Sequence, residues 1–178
     1  MTEAVTFEAG GLTVRQLDRT AQEGVQTLLT ACDDYAVMLT GRPHGPEAAT
    51  DLFAALPPGR DEADKLVFGI GAPEAPLIGI IDMIREYPEP GVWFLGLLML
   101  DPAHRSQGLG AQAYEALAEY AFAEGCDSIR IGVVKENERA LTFWSRQGFH
   151  ELVRQPLRMG DKDTEAVIME DVLVAADE

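Results

Sequence analysis

The sequence predicts an α/β (α+β) fold, with a mixed, mostly antiparallel central sheet flanked by helices on both faces. Three observations predict it. A strand-like run is followed by helical spacing near the amino terminus; three apolar runs follow, punctuated by Pro and Gly; a long amphipathic helix then opens from a loop bearing two glycines.

Residues 12–17 alternate as a first strand, and residues 21–39 place Val25, Leu28, Leu29, Cys32, Ala36 and Leu39 at helical spacing. Gly41, Pro43 and Gly45 break that helix. Pro46 opens a shorter one that ends at Leu56, before Pro57-Pro58-Gly59. After the charged stretch 60–65, the runs 66–70, 77–84 and 92–100 read as an antiparallel meander with a hairpin bend near Glu89. Residues 108–124 set Leu109, Ala113, Leu117, Tyr120 and Ala121 on one helical face, with Gly125 as C-cap. Residues 128–134 are a buried strand, 138–147 a helix stopped by Gly148, and 149–153 and 166–172 close the sheet.

A chain of 178 residues, 47% of them hydrophobic, can bury one sizeable core and is short for two, so a single domain over 1–178 is expected. Thirty acidic against fourteen basic residues leave a net charge of -16. Such a field repels phosphate backbones and anionic bilayers, so neither nucleic acid nor membrane is an expected partner. It would attract a cationic amine, and it equally serves solubility alone. Cys32 and Cys126 stand far apart without a His cluster, so neither a zinc site nor a disulfide framework is expected. Residues 1–8 lack a basic and an apolar leader region, and no apolar run reaches bilayer length; a reduced, cytoplasmic protein is expected.

The run Asp101-Pro-Ala-His-Arg105-Ser-Gln-Gly108-Leu-Gly110 joins a strand to a helix. The first amides of a helix lack intrahelical acceptors and sit at the positive end of its dipole, and glycine admits a diphosphate close to the backbone. The spacing fits neither Gly-x-x-x-x-Gly-Lys-Ser/Thr nor a Gly-x-Gly-x-x-Gly after the first strand, which disfavours nucleotide hydrolases and nicotinamide enzymes.

Arg105, Gly108 and Gly110 match the Gln/Arg-x-x-Gly-x-Gly/Ala signature of the GNAT superfamily of N-acetyltransferases, which the sequence resembles. A second segment is similar too: Asn137, Ala140, the pair Phe143-Trp144, then Gly148-Phe149. The resemblance implies acetyl-CoA as co-substrate and a GNAT-like sheet in which two parallel strands splay apart. Leu98, Met99 and Leu100 would offer backbone groups to the pantetheine arm. Arg105 opens the loop, and the amides of Ser106, Gln107, Gly108, Leu109, Gly110 and Ala111 would hold the pyrophosphate. Asn137 would reach the cofactor from the far side, with Phe143 and Trp144 lining the groove. The implied reaction is acetyl transfer to a primary amine, of a small molecule ahead of a protein, by direct attack in a ternary complex. Related domains also pair, so a homodimer is an expectation carried by the resemblance alone.

The implied chemistry needs a base, an oxyanion donor and in some relatives an acid. The backbone amide of Leu98 is the candidate oxyanion donor. Trp144 occupies the position of the family's acidic tyrosine, and an indole cannot deliver that proton, so no general acid is assigned. The strand 92–100 holds no carboxylate. A bend near Glu89 instead sets Asp82 across from about Gly96, with Glu86 nearer the mouth, and these two are the candidate bases. Asp82 is equally readable as a structural group satisfied by backbone amides. His44 and His150 show no partner spacing, His104 reads as a solvated loop residue, and Cys126 as a small buried one. Asp33 and Asp34 could attract an amine or simply be exposed helical charge. A non-catalytic acyl-CoA-binding or sensing protein remains the alternative, and an unrelated α/β phosphate-binding module a third reading.

Overall fold

The computed structural model describes residues 3–72 and 74–175. Met1, Thr2 and the last three residues of the expected 1–178 domain lie outside the described residues, so the leader reading and the domain bounds are followed only between them. Among the described residues eight strands form one sheet in the order β1-β2-β3-β4-β5-β6-β8-β7: β1 (Thr6–Ala9), β2 (Leu12–Gln16), β3 (Lys65–Gly71), β4 (Gly79–Ile84), β5 (Val92–Leu100), β6 (Ser128–Val134), β7 (His150–Met159) and β8 (Lys162–Val172). Every neighbouring pair is antiparallel except β5 and β6, which run parallel.

Helices cover both faces. On one side α4 (Leu109–Ala123) and α5 (Glu138–Arg146) bury Ala113, Tyr114, Leu117, Ala121 and Trp144 against Phe68, Ile81, Leu95 and Ile129. On the other, α1 (Gln22–Ala31), α2 (Asp33–Thr40) and α3 (Ala48–Ala54) cover Val67, Ile80 and Met99 with Val25, Leu28, Leu29, Cys32 and Phe53. Among the described residues no helix is long and apolar enough to cross a membrane.

Three expectations need correction. The strand β1 was not anticipated; it is four residues long and pairs with β2 through Gly10-Gly11, both at positive φ (57° and 81°), which is the backbone a two-residue hairpin turn requires. The helix expected over 21–39 is two, because the backbone departs from helix at Cys32 (φ -102°, ψ 29°). The closing strands are longer than 149–153 and 166–172. Most of β7 is exposed, an edge whose side chains, facing water, lack the apolar alternation that reveals a strand.

The meander holds closely. Ile84 pairs with Phe94 and Met83 with Leu95, symmetric about Glu89; a bulge between Asp82 and Met83 then skips Gly96, so that Asp82 stands across from Leu97. Beyond the bulge, Leu97 and Met99 face the α1–α3 layer, whereas Leu95 faces α4.

Candidate active site

The parallel pairing of β5 with β6 covers only Val92 with Ser128, Trp93 with Ile129 and Phe94 with Arg130. From Leu95 onward the strands share no register, which leaves a gap between them along the rest of β5. Asp101 N–H donates to Ile78 O at 2.7 Å, so alternation along an antiparallel ladder turns Met99 and Leu97 to β4 as well. Leu98 and Leu100 therefore present their backbone groups to the gap. Met99, expected to serve a cofactor through its backbone, instead spends that backbone on β4.

At the mouth of the gap, Pro102–His104 form one 3-10 turn capped by the Asp101 carboxylate, which accepts from Ala103 N–H at 2.9 Å. Ser106 (φ 62°) and Gly108 (φ 80°) then lie in the left-handed region before α4 begins. Backbone of this kind curls successive amides toward one point. The N–H groups of Ser106, Gln107, Gly108, Leu109, Gly110 and Ala111 find no acceptor among the described residues. Six free amides at a helix start can accept an anion.

The side chains around the loop divide their work differently from expectation. Arg105 points away from the amides: its Nε donates to Leu100 O at 2.9 Å, and Nη1 reaches Asp34 Oδ2 at 2.6 Å. That hydrogen bond holds the Asp34 carboxyl below the usual carboxylate range. Asp33 accepts from the His44 backbone N–H at 2.8 Å and lies 3.2 Å from its Nδ1, so His44 has a partner that spacing did not reveal. Neither acid of that pair is left unengaged for an amine. Asn137 caps α5, its Oδ1 accepting from Ala140 N–H at 3.1 Å. Arg139, which the sequence reading passed over although it lies inside the second matched segment, donates to Ser106 Oγ at 2.7 Å and sets a cation on the loop. Phe143 packs over Gly110, where a Cβ would meet its ring at 3.4 Å. Trp144 is buried among Tyr114, Phe143 and Phe149, with ring centroids 5.4, 4.9 and 5.1 Å away.

The two candidate bases part company. Glu86 lies in the β4–β5 turn at the paired end of the strands, not nearer the mouth; its carboxylate accepts from Gly91 N–H at 2.9 Å and Trp93 Nε1 at 3.4 Å, which holds that turn. Asp82 lies on the α1–α3 face beside the start of the gap. Its partner is not a set of backbone amides but Lys65, whose Nζ is 2.9 Å from Oδ1. Oδ1 is shielded from water, so the Lys65 ammonium is what faces it. Burial raises the Asp82 pKa above the ordinary carboxylate value, and the Lys65 ammonium opposes the rise. Lys65 had been read only as the end of a charged stretch; its place opposite Ile84 follows from strand register, which local sequence does not contain.

Both thiols are inert. Burial raises the Cys32 thiol and pushes Cys126 up to about 11, so neither is a thiolate near neutrality. A cavity of about 630 Å³ opens between α4 and the ends of α5 and β8, lined by Tyr114, Phe122, Arg146 and Asp171 among others; of the residues expected to hold a cofactor it includes only Ala111.

Known proteins share this fold. Residues 28–149 match the acetyltransferase (GNAT) family. Over 59 residues the chain is 30% identical to thialysine N-epsilon-acetyltransferase from Bos taurus, a stretch covering 33% of this chain and 35% of the bovine protein. The chain thus spans about a third of that relative's length. Spermidine N-acetyltransferase from Vibrio cholerae, solved with CoA and spermine, superposes with a TM-score of 0.71 at 16% identity, covering 91% of this chain and 95% of that one. A GNAT-family protein from Chromobacterium violaceum gives 0.74 at 18% identity, over 95% and 85% of the two chains. At such identities the solved structures speak for the fold, which is the mixed, mostly antiparallel one expected. Because the family match covers more than half of its length, this chain belongs to the acetyltransferase (GNAT) family.

Proposed function

We propose that this chain transfers an acetyl group from acetyl-CoA to the primary amine of a small molecule, by direct attack within a ternary complex. The observation that carries the reading is the gap between β5 and β6, with six free amides at its mouth and Asp82 at its side. The amides from Ser106 to Ala111 would hold the diphosphate, with Arg139 adding a cation at the same loop. The Leu98 carbonyl and the Leu100 N–H would pair with the pantetheine amides, since the Leu100 carbonyl is taken by Arg105 Nε. Acetyl-CoA supplies an acyl carbon already activated as a thioester.

On the protein side three tasks remain. The Leu98 N–H, turned into the gap, would donate to the carbonyl oxygen as it gains negative charge. Asp82 would accept the ammonium proton. The departing thiolate would leave unassisted, since Trp144 offers no acidic proton in place of a phenol. Direct attack is supported by the two inert thiols, which leave no cysteine fit to carry the acyl group. A free amine is supported by the relatives, whose names specify thialysine and spermidine. A chain of net charge -16 also draws such cations toward it.

Thiol release measured with acetyl-CoA against a panel of amines that includes spermidine, thialysine and lysine tests this reading. Turnover with intersecting initial-velocity lines is the expected result. Parallel lines would overturn direct attack, and tight CoA binding by calorimetry without turnover on any amine would favour the sensor instead.

A further inference from the structure

The two oxygens of Asp82 have different surroundings. Oδ1 faces the Lys65 ammonium at 2.9 Å and is shielded from water. The Asp82 side chain nevertheless keeps 18% of its surface exposed, and that exposure is not on Oδ1. Oδ2 lies beside Gly96, where a Cβ would stand 3.7 Å from it. Gly96 is exposed, alone among the residues of β5, and it is the residue the bulge skips at the point where β5 leaves β6. Lys65 is fixed in turn: its side chain is 6% exposed, and Nζ donates to Ala55 O at 2.9 Å, just past the end of α3.

Resting on Asp82 as the base, we propose that Lys65 is its positioning residue: it holds Oδ1 and leaves Oδ2, beside the bare Gly96, as the oxygen that meets the amine. A carboxylate buried without a partner takes up a proton and can no longer accept one from substrate. The ammonium offsets that tendency, so the group stays an acceptor near neutral pH. Its contact with one oxygen alone leaves the other unengaged. Among the described residues Lys65, from β3, is the one charged group that acts on Asp82. From β5 come only Leu97 and Gly96, and Cys32 and Tyr35, the titratable members of the apolar cluster under the helical layer, are both kept neutral by burial. Gly96 contributes room: with no side chain there, an amine approaching along the gap can reach Oδ2.

Two measurements on the full chain test this. In carbon-13 spectra of carboxyl-labelled protein, the Asp82 signal, identified by its loss in Asp82→Asn, should titrate at least one pH unit higher in Lys65→Met; an unmoved midpoint overturns the proposal. For kcat/KM, with the amine that the panel yields held constant so that its own titration cancels, Lys65→Met should move the acid limb upward by the same amount. At a pH below both midpoints the rate should fall about tenfold for each pH unit by which the limb moves, with the KM for acetyl-CoA unchanged. Lys65→Arg, which keeps the cation, should restore the limb. A uniform loss of rate at all pH values, with the limb in place, would make Lys65 merely structural. Should Lys65→Met fail to fold, Gly96→Val carries the test: it fills the lane but leaves the ion pair, and should lower kcat/KM for the amine at least tenfold with CoA affinity intact. An unaffected rate there overturns the role of Oδ2. If Asp82→Asn keeps the full rate and pH profile, the base reading fails first; a large loss in Asp82→Asn with an unmoved limb in Lys65→Met sinks this inference alone.

Discussion

Arg105 and Asp34 form a two-point ion pair, Nη1 to Oδ2 at 2.6 Å and Nη2 to Oδ1 at 3.3 Å, that ties the loop before α4 to the first turn of α2. Its consequence is mechanical: the arginine that opens the loop motif acts on helix and backbone, and under the proposed function the diphosphate would fall to the amides. Asp34→Ala should cost little stability, about 0.2–1 kcal/mol, because the carboxylate is exposed. Arg105→Ala should cost more, since it also removes the bond to Leu100 O. Both should weaken CoA binding, Arg105→Ala by the larger factor. Denaturant melts alongside calorimetric titration with CoA measure this, and equal losses in the two variants would contradict it.

Gly108 and Gly110 serve the loop in different ways. Gly108 lies at φ 80° with open space around it, so Gly108→Ala should cost about 1 kcal/mol through backbone strain alone. At Gly110 the close neighbour is the Phe143 ring. Gly110→Asp would therefore both crowd that ring and place a carboxylate among the free amides. The double variant Gly110→Asp with Phe143→Leu separates the effects. Relief of crowding should recover melting temperature while CoA affinity stays at least tenfold below that of the parent. Recovery of both would mean that the glycine is there for packing and not for the anion.

What the sequence made legible was local. The loop, its helix and the meander follow from glycine positions and apolar periodicity within a few residues, and the bend at Glu89 placed Asp82 within one residue of its partner across the hairpin. That last residue was lost to the bulge at Gly96, which no alternation pattern reports. Strands β1 and β7 were missed or shortened because they are edges with few inward side chains. The ion pairs of Lys65 with Asp82 and of Arg105 with Asp34 join residues far apart in sequence, and only sheet register and helix docking bring them together.

Trp144, at the position where the resemblance implies a phenol, is enclosed by three aromatic rings. Trp144→Tyr leaves part of the indole's volume empty and should cost about 1–3 kcal/mol. A thiolate of coenzyme A leaves well on its own, so the new hydroxyl should change kcat less than about threefold. A larger rise would mean that proton delivery to sulfur limits the parent enzyme. Stopped-time thiol release at saturating substrates, with stability followed by denaturant, distinguishes these outcomes.

Tyr114, buried on α4, donates its phenol proton to Asp171 Oδ2 at 2.7 Å and so joins α4 to β8. Burial first, then the hydrogen bond and the charge of Asp171, raise the phenol well above its ordinary value. Below pH about 10 the phenol is neutral in both folded and unfolded chains, and the stabilisation is fully present. As pH climbs past that value, the unfolded chain releases its proton while the folded chain keeps it, so stability falls by up to about 1.4 kcal/mol per pH unit from this group. Tyr114→Phe should lose about 1.5–3 kcal/mol at neutral pH with the hydrogen bond, and its stability should decline less steeply above pH 10. Urea unfolding from pH 7 to 11 checks both parts; parallel curves for the two proteins above pH 10 would show that the phenol ionises as readily folded as unfolded.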